Sequence, residues 1–160
     1  MTSFDNLERF NHLYSEIESL YHEAAQRLGL SDSAMQILYA VRTEKRPCSM
    51  SDIARLTGIS KQTLHSSIRN LERNGILCLQ RGAGRSAALH LTPEGERLVQ
   101  ARVDPLLSAE ADIYRSWSEQ ETEAFFSLLS KYRAALKERI ETLSPAPDCG
   151  PSSPSIQEDL

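Results

Sequence analysis

From Phe4 to Leu28, apolar residues recur every three or four positions: Phe4, Leu7, Phe10, Tyr14, Ile17, Tyr21, Ala24 and Leu28. At roughly 100° per residue these fall on one face, so the spacing predicts a long amphipathic helix. Gly29 stands where a helix C-cap belongs. Ser31 is placed to cap a second helix carrying Met35, Leu38, Tyr39 and Val41, and Pro47 forbids its continuation. Ser49-Met50-Ser51-Asp52 opens a short third helix. Ser49 is its N-cap, and Asp52 takes the place of the acidic partner in a capping box, although glutamate is the better fit. Ile53, Ala54 and Leu56 read as the inward face of that helix. Gly58 marks a tight turn, Ser60 caps a fourth helix running to about Asn74, and Gly75 ends it.

Beyond Gly75 the period changes. Two β-prone segments, Ile76–Gln80 and Ala87–Leu91, flank Arg81-Gly82-Ala83-Gly84-Arg85-Ser86, which predicts a hairpin with a basic tip. Thr92-Pro93 supplies an N-cap followed by proline at the first helical position. The helix it starts carries Leu98, Val103 and Leu106, and Pro105 should kink or interrupt it. Ser118-Glu119-Gln120-Glu121 is a full capping box for a last helix with Phe125, Leu129, Tyr132, Leu136, Ile140 and Leu143 on one stripe. From Ser144 the chain has four prolines, one glycine and four serines in seventeen residues, and 144–160 reads as a disordered tail. The expected architecture is mainly α with a small β-hairpin wing. A winged helix-turn-helix over about 31–92 lies in a single domain of 1–143, flanked by helices over about 4–28 and 93–143.

Length and composition fit that picture. The chain has 160 residues, 40% of them apolar and 25% charged, which is one globular domain's worth. No apolar run approaches the roughly 20 residues that span a bilayer. The N-terminus lacks the basic start and apolar stretch of a signal peptide, so a cytoplasmic protein with no membrane partner is the simplest reading. Cys48, Cys78 and Cys149 are odd in number and widely spaced, so neither a disulfide framework nor a metal-type pairing is expected. His12 and His22, ten residues apart on one helix, make no metal pair.

Charge changes the picture more. The net charge is −4, which argues against a nucleic-acid partner until its distribution is considered. Residues 46–102 hold nine Lys/Arg against four Asp/Glu, a local net of +5, while the remainder holds nine against eighteen. A basic middle between acidic flanks is an electrostatic footprint for DNA. On the wheel of the fourth helix, Leu64, Ser67, Ile68 and Leu71 face inward. Gln62, Ser66, Arg69 and Arg73 centre the opposite face, with His65 and Asn70 beside them, Lys61 at the N-terminal end and Glu72 near the edge of the inward face. These donor-rich side chains reach base edges and phosphates when a helix lies in the major groove. The helix N-terminus offers further N–H groups to a phosphate. The candidate DNA contacts are Ser49, Ser60, Lys61, Gln62, Thr63, His65, Ser66, Arg69, Asn70, Arg73, Arg81, Arg85 and Ser86. The hairpin would track the backbone or enter the minor groove.

The run SMSDIARLTGISKQTLHSSIRNLERNGIL, followed by RSAALHLTPEG, resembles the multiple-antibiotic-resistance regulator (MarR) family of bacterial transcription factors. The resemblance rests on Ile53-Ala54 in the capped short helix, Gly58-Ile59-Ser60 at the turn, Leu71 to Ile76 ending the recognition helix, and Leu91 to Gly95 entering the next. It covers residues 4–143. One departure is in the wing, where Ala83 replaces the aspartate that usually precedes the wing arginine, here Arg85. Membership implies a homodimer formed by the outer helices, with Trp117, Phe125, Phe126 and Tyr132 as candidate anchors, on a palindromic operator. It also implies steric repression, relieved by a small phenolic or lipophilic effector near Tyr14, Tyr21 and Tyr39. Some relatives sense oxidants through a cysteine, and Cys48, in a loop beside Arg46, is the candidate here. No phosphate loop, metal-ligand spacing or nucleophile motif occurs, so neither enzyme activity nor a cofactor is expected. The rival classes are a winged-helix protein-interaction module and a redox-responsive regulator.

Overall fold

Where the apolar period is 3.6 the chain is helical, and where it drops to two beyond Gly75 it forms strands. The computed structural model describes residues 3–44, 47–81 and 87–144. Among these, α1 (Ser3–Arg27) and α2 (Asp32–Thr43) precede β1 (Cys48–Ser49), α3 (Met50–Thr57) and α4 (Lys61–Arg73). Then come β2 (Leu77–Arg81), β3 (Ala87–Leu91), α5 (Pro93–Arg102), α6 (Asp104–Arg115) and α7 (Glu119–Glu141). The expected tip contacts Arg85 and Ser86, Arg46, and the tail from residue 145 onward lie outside the described residues.

Side-chain caps set the helix starts. Ser31, Ser49, Ser60, Thr92 and Ser118 each accept a backbone N–H from the first turn of the helix that follows. Asp52 completes a capping box despite its short side chain, its Oδ2 accepting the Ser49 backbone N–H at 3.0 Å. Gly29, Gly58 and Gly75 adopt left-handed φ values of 66°, 69° and 68°, which a Cβ would disfavour. The expected break near Pro105 falls at Val103, between α5 and α6.

The sheet departs from expectation. It has three antiparallel strands in the order β1-β3-β2, not a two-stranded hairpin, with Cys48 and Leu79 on either side of Leu89. Two residues are too few to show a period in the sequence, and β1 exists because β3 offers a second edge. β2 begins at Leu77, one residue later than expected, because the Ile76 N–H donates to the Leu71 carbonyl at the end of α4, at 2.9 Å, and not across the sheet.

The chain divides into two compact units at Asp112/Ile113, within α6. In the first, one core joins Ile37 and Leu38 of α2, Ile53 of α3, Leu64, Ile68 and Leu71 of α4, Leu77 and Leu89 of the sheet, and Val99 and Val103. Leu56, expected to face that core, is 42% exposed while Ile53 is fully buried. A helix of eight residues turns one narrow face inward, and Leu56 instead borders a cavity described below. α1 keeps Phe4, Leu7, Leu13, Ile17 and Leu20 exposed. In the second unit, Tyr114, Trp117, Phe125 and Phe126 form an aromatic cluster with centroids 5.3–5.5 Å apart. Leu128, Leu129, Leu136, Ile140 and Leu143 remain exposed.

Candidate nucleic-acid interface

The outward face of α4 is presented by an inner face that is nailed down. Leu64 and Ile68 are each 2% exposed and Leu71 6%. Ser67, half-buried, exchanges a hydrogen bond with Ser33 of α2 at 2.8 Å. Ser60 caps the helix through Oγ, which accepts the Thr63 N–H at 3.2 Å and lies 2.9 Å from Thr63 Oγ1. The opposite face then carries Lys61, Gln62, Thr63, His65, Ser66, Arg69, Asn70 and Arg73, all exposed. This is the face that the sequence predicts. Within the described residues no ion pair holds Lys61, Arg69 or Arg73, so their positive charges are available to a partner's phosphates. The acidic Glu72 is exposed too. It shares a shallow groove with Ser66, Arg69 and Arg73.

The remaining candidates divide. Ser49 is half-buried at the start of α3, with its hydroxyl donating to Asp52 at 2.8 Å, so its side chain serves the cap. The Arg81 backbone ends β2 opposite Ala87. At the base of the wing, Thr92 Oγ1 donates to the Gly75 carbonyl and accepts the Gly95 N–H at 3.0 Å. The Leu-Thr-x-x-Gly run thereby ties α5 to the end of α4.

A second feature of this unit is a cavity of about 480 Å³ between α1, α2 and α3. Of the three tyrosines named for an effector, Tyr21 and Tyr39 line it and Tyr14 does not. Tyr14 instead hydrogen-bonds Glu18, whose carboxylate raises the phenol's pKa by that bond and by its charge. The Tyr21 and Tyr39 hydroxyls both donate to Glu110 of α6, the latter at 2.5 Å. Next to this bridge, Arg42 grips Asp104 with two bonds of 2.8 and 2.7 Å and reaches Glu96 at 3.3 Å. The bond to Asp104 is the main reason its guanidinium pKa is raised. The sequence reading passed over Glu18, Asp32 and Glu110. The first lies one turn before Tyr21 and His22 on α1, a spacing that could have found it.

Cys48 contradicts the loop position on which the redox expectation rested. It lies in β1, 1% exposed within the core, whereas oxidation favours an accessible thiolate. Among the described residues no group of three or more side chains could hold a metal ion, and no helix is long and apolar enough to cross a membrane.

Residues 28–86 match the model of the MarR family. A curated relative, an uncharacterized HTH-type transcriptional regulator of Bacillus subtilis (strain 168), is 24% identical over 127 residues, 78% of this chain and 82% of its own. Among solved structures, a MarR family regulator from Neisseria meningitidis superposes with a TM-score of 0.74 at 19% identity, covering 88% of this chain and 98% of its own. MepR of S. aureus in its DNA-binding conformation gives 0.68 at 21%, covering 84% and 99%. Likeness at these identities is a likeness of fold, the winged helix.

Proposed function

We propose that this chain, whose residues 28–86 match the MarR family model, is a MarR family member and a homodimeric, sequence-specific double-stranded DNA-binding regulator. The observation that carries this reading is the outward face of α4. Eight donor-bearing or cationic side chains are exposed on one helix whose other face is locked into the core. That helix fits the major groove, where Gln62, Asn70 and Arg69 are the side chains suited to base edges, and Lys61 and Arg73 to phosphates. The winged helix-turn-helix spans about 31–92, and the wing's Arg81, Arg85 and Ser86 extend the footprint along the duplex.

The dimer is supported by the apolar side chains that each unit leaves uncovered. Those on α1, from Phe4 to Leu20, and those on α7, from Phe125 to Ile140, recur at helical spacing. A contiguous exposed apolar stripe marks an interaction surface. A two-fold dimer reads a palindrome with half-sites about one helical turn apart, and occupying it blocks transcription in the cytoplasm. The cavity beside Tyr21 and Tyr39 receives the effector that relieves the block.

The test is selection from a random duplex library with the full-length protein, followed by anisotropy titrations of the selected and scrambled duplexes across salt. We expect a selected palindrome, affinity falling with salt at about −0.9 per neutralised phosphate, and Arg69→Ala relaxing selectivity at defined positions. Equal, salt-insensitive binding of both duplexes would overturn the reading in favour of a protein-interaction module.

A further inference from the structure

We propose that the cavity between α1, α2 and α3 selects an organic cation with an apolar body, not a phenolic or carboxylate anion. The inference rests on the reading of this chain as an effector-responsive regulator, and it concerns what the effector's charge must be.

The cavity is of a size that takes small organic ligands. Met35, Ala40 and Leu56 give it apolar wall, so the ligand's body is apolar. The charged groups on that wall are Glu18 and Asp32, with His22, and no lysine or arginine is among the described residues lining it. His22 Nδ1 sits 2.8 and 2.9 Å from the two Asp32 oxygens. If His22 is protonated it offsets Asp32, and Glu18 leaves the wall negative. With His22 neutral, both carboxylates count. Either way an anion entering the cavity meets like charge, which disfavours it.

The hydrogen-bond inventory agrees with the charge. An anion needs donors, and the hydroxyl donors on this wall are already engaged, leaving the Gln36 amide. Tyr21 and Tyr39 both give their hydroxyl hydrogens to Glu110. Thr43 gives its own to the Tyr39 carbonyl at 2.9 Å, and Thr57 to the Ile53 carbonyl at 2.8 Å. Acceptors remain in the two carboxylates, which suit a cationic head. Tyrosine rings add to the attraction wherever a cation reaches a ring face. This reverses the phenolic class that family resemblance implies for the effector.

The experiment is calorimetric titration of the full-length protein with benzyltrimethylammonium, tetraphenylphosphonium and salicylate. Glu18→Gln and Asp32→Asn are titrated alongside, and anisotropy on the selected duplex follows DNA affinity. Thermal melts establish that both variants fold. At least one cation should bind once per chain, at least tenfold more tightly than salicylate. Its affinity should fall at least fivefold in each variant, while DNA affinity without ligand stays unchanged. Salicylate binding more tightly than either cation, neither cation binding, or cation affinity untouched in both variants would overturn the inference. Its failure is separable from that of the regulator reading. Selective DNA binding with no cation binding removes this inference alone. Cation binding with the expected variant losses, on a protein that ignores DNA, upholds the pocket chemistry and removes the regulator reading.

Discussion

Gly95→Ala should destabilise this protein, although alanine is the better helix former. Gly95 is buried in the first turn of α5. A Cβ placed there would lie 2.0 Å from the Ile76 carbonyl oxygen, 3.0 Å from its carbon and 3.2 Å from Leu91 Cδ2. Carbon–oxygen contacts normally settle near 3.3–3.6 Å, so the overlap exceeds about 1 Å. The obstacle is backbone, so no flexible side chain can swing aside. Either α5 moves off the start of β2 or the Ile76 carbonyl rotates. Both disturb the same junction, because that carbonyl accepts the Thr92 N–H at 3.0 Å and Thr92 Oγ1 accepts the Gly95 N–H at 3.0 Å. Overpacking costs about 1–3 kcal/mol, and a weakened N-cap adds about 1 kcal/mol. Helix propensity returns about 1 kcal/mol. The net is a loss of about 2 kcal/mol, equivalent to roughly 4–8 °C in Tm for a chain of this size. Gly58→Ala is the contrast: nothing lies within 4 Å of its Cβ position, and its cost comes from φ of +69° alone, about 1 kcal/mol. Urea unfolding followed by circular dichroism, at one fixed protein concentration because association shifts the midpoint, measures both. A Gly95→Ala midpoint at or above wild type would refute the reasoning.

Three further outcomes follow from other parts of the molecule. Arg42→Gln removes a two-bond grip on Asp104 between side chains 33% and 29% exposed. Charge-assisted bonds of this kind contribute about 1.5–3 kcal/mol, and discounting for solvent leaves about 1–2 kcal/mol, readable as a lower urea midpoint. Ser118→Ala should cost about 1 kcal/mol by uncapping α7. In wild type the Ser118 backbone N–H, and then its hydroxyl, hold the Glu121 pKa below its ordinary 4.5. That stabilisation is therefore complete above the ordinary value and is lost as pH falls through the lowered one. Helicity followed by circular dichroism from pH 7 to pH 3 should show an acid loss that Glu121→Gln flattens. Leu136→Asp, at a position already 43% exposed, should weaken self-association at least tenfold in sedimentation velocity while leaving far-ultraviolet ellipticity intact. A wild-type protein that sediments as a monomer would sink the dimer.

Local rules made most of this fold legible. Ser31, Ser49, Ser60, Thr92 and Ser118 are caps whose effect lies within three residues, and the helices start where they say. The inward face of α4 follows from period alone, and so does the exposed face opposite it. What escaped the sequence is non-local. β1 is two residues long and is defined by a partner about forty positions away. Glu110 meets Tyr39 71 residues upstream and Tyr21 89 upstream, and no local pattern links them. Leu56 reads as core by composition, yet a short helix has room inward for Ile53 and not for both. The burial of Cys48 is non-local too, since it depends on the β1–β3 pairing.

Those non-local contacts converge on α2. Tyr39 ties α2 to Glu110, and Arg42 ties it to Asp104 and Glu96. Ser33, at its other end, meets Ser67 on the inner side of α4. Asp32, Met35, Gln36, Tyr39, Ala40 and Thr43 of the same helix form much of the cavity wall, while Ile37 and Leu38 anchor it in the core. Twelve residues of α-helix are stiff along their axis, so a ligand that shifts this wall displaces Ser33 with it. One hydrogen-bonded route from the cavity to α4 runs through α2 and the Ser33–Ser67 bond, beside the covalent one from Thr57 through Gly58 to Ser60. Coupling of this kind is a free energy, not a path drawn on contacts. Its signature is a double-mutant cycle in which Ser67→Ala changes the ligand's effect on DNA affinity more than it changes DNA affinity itself.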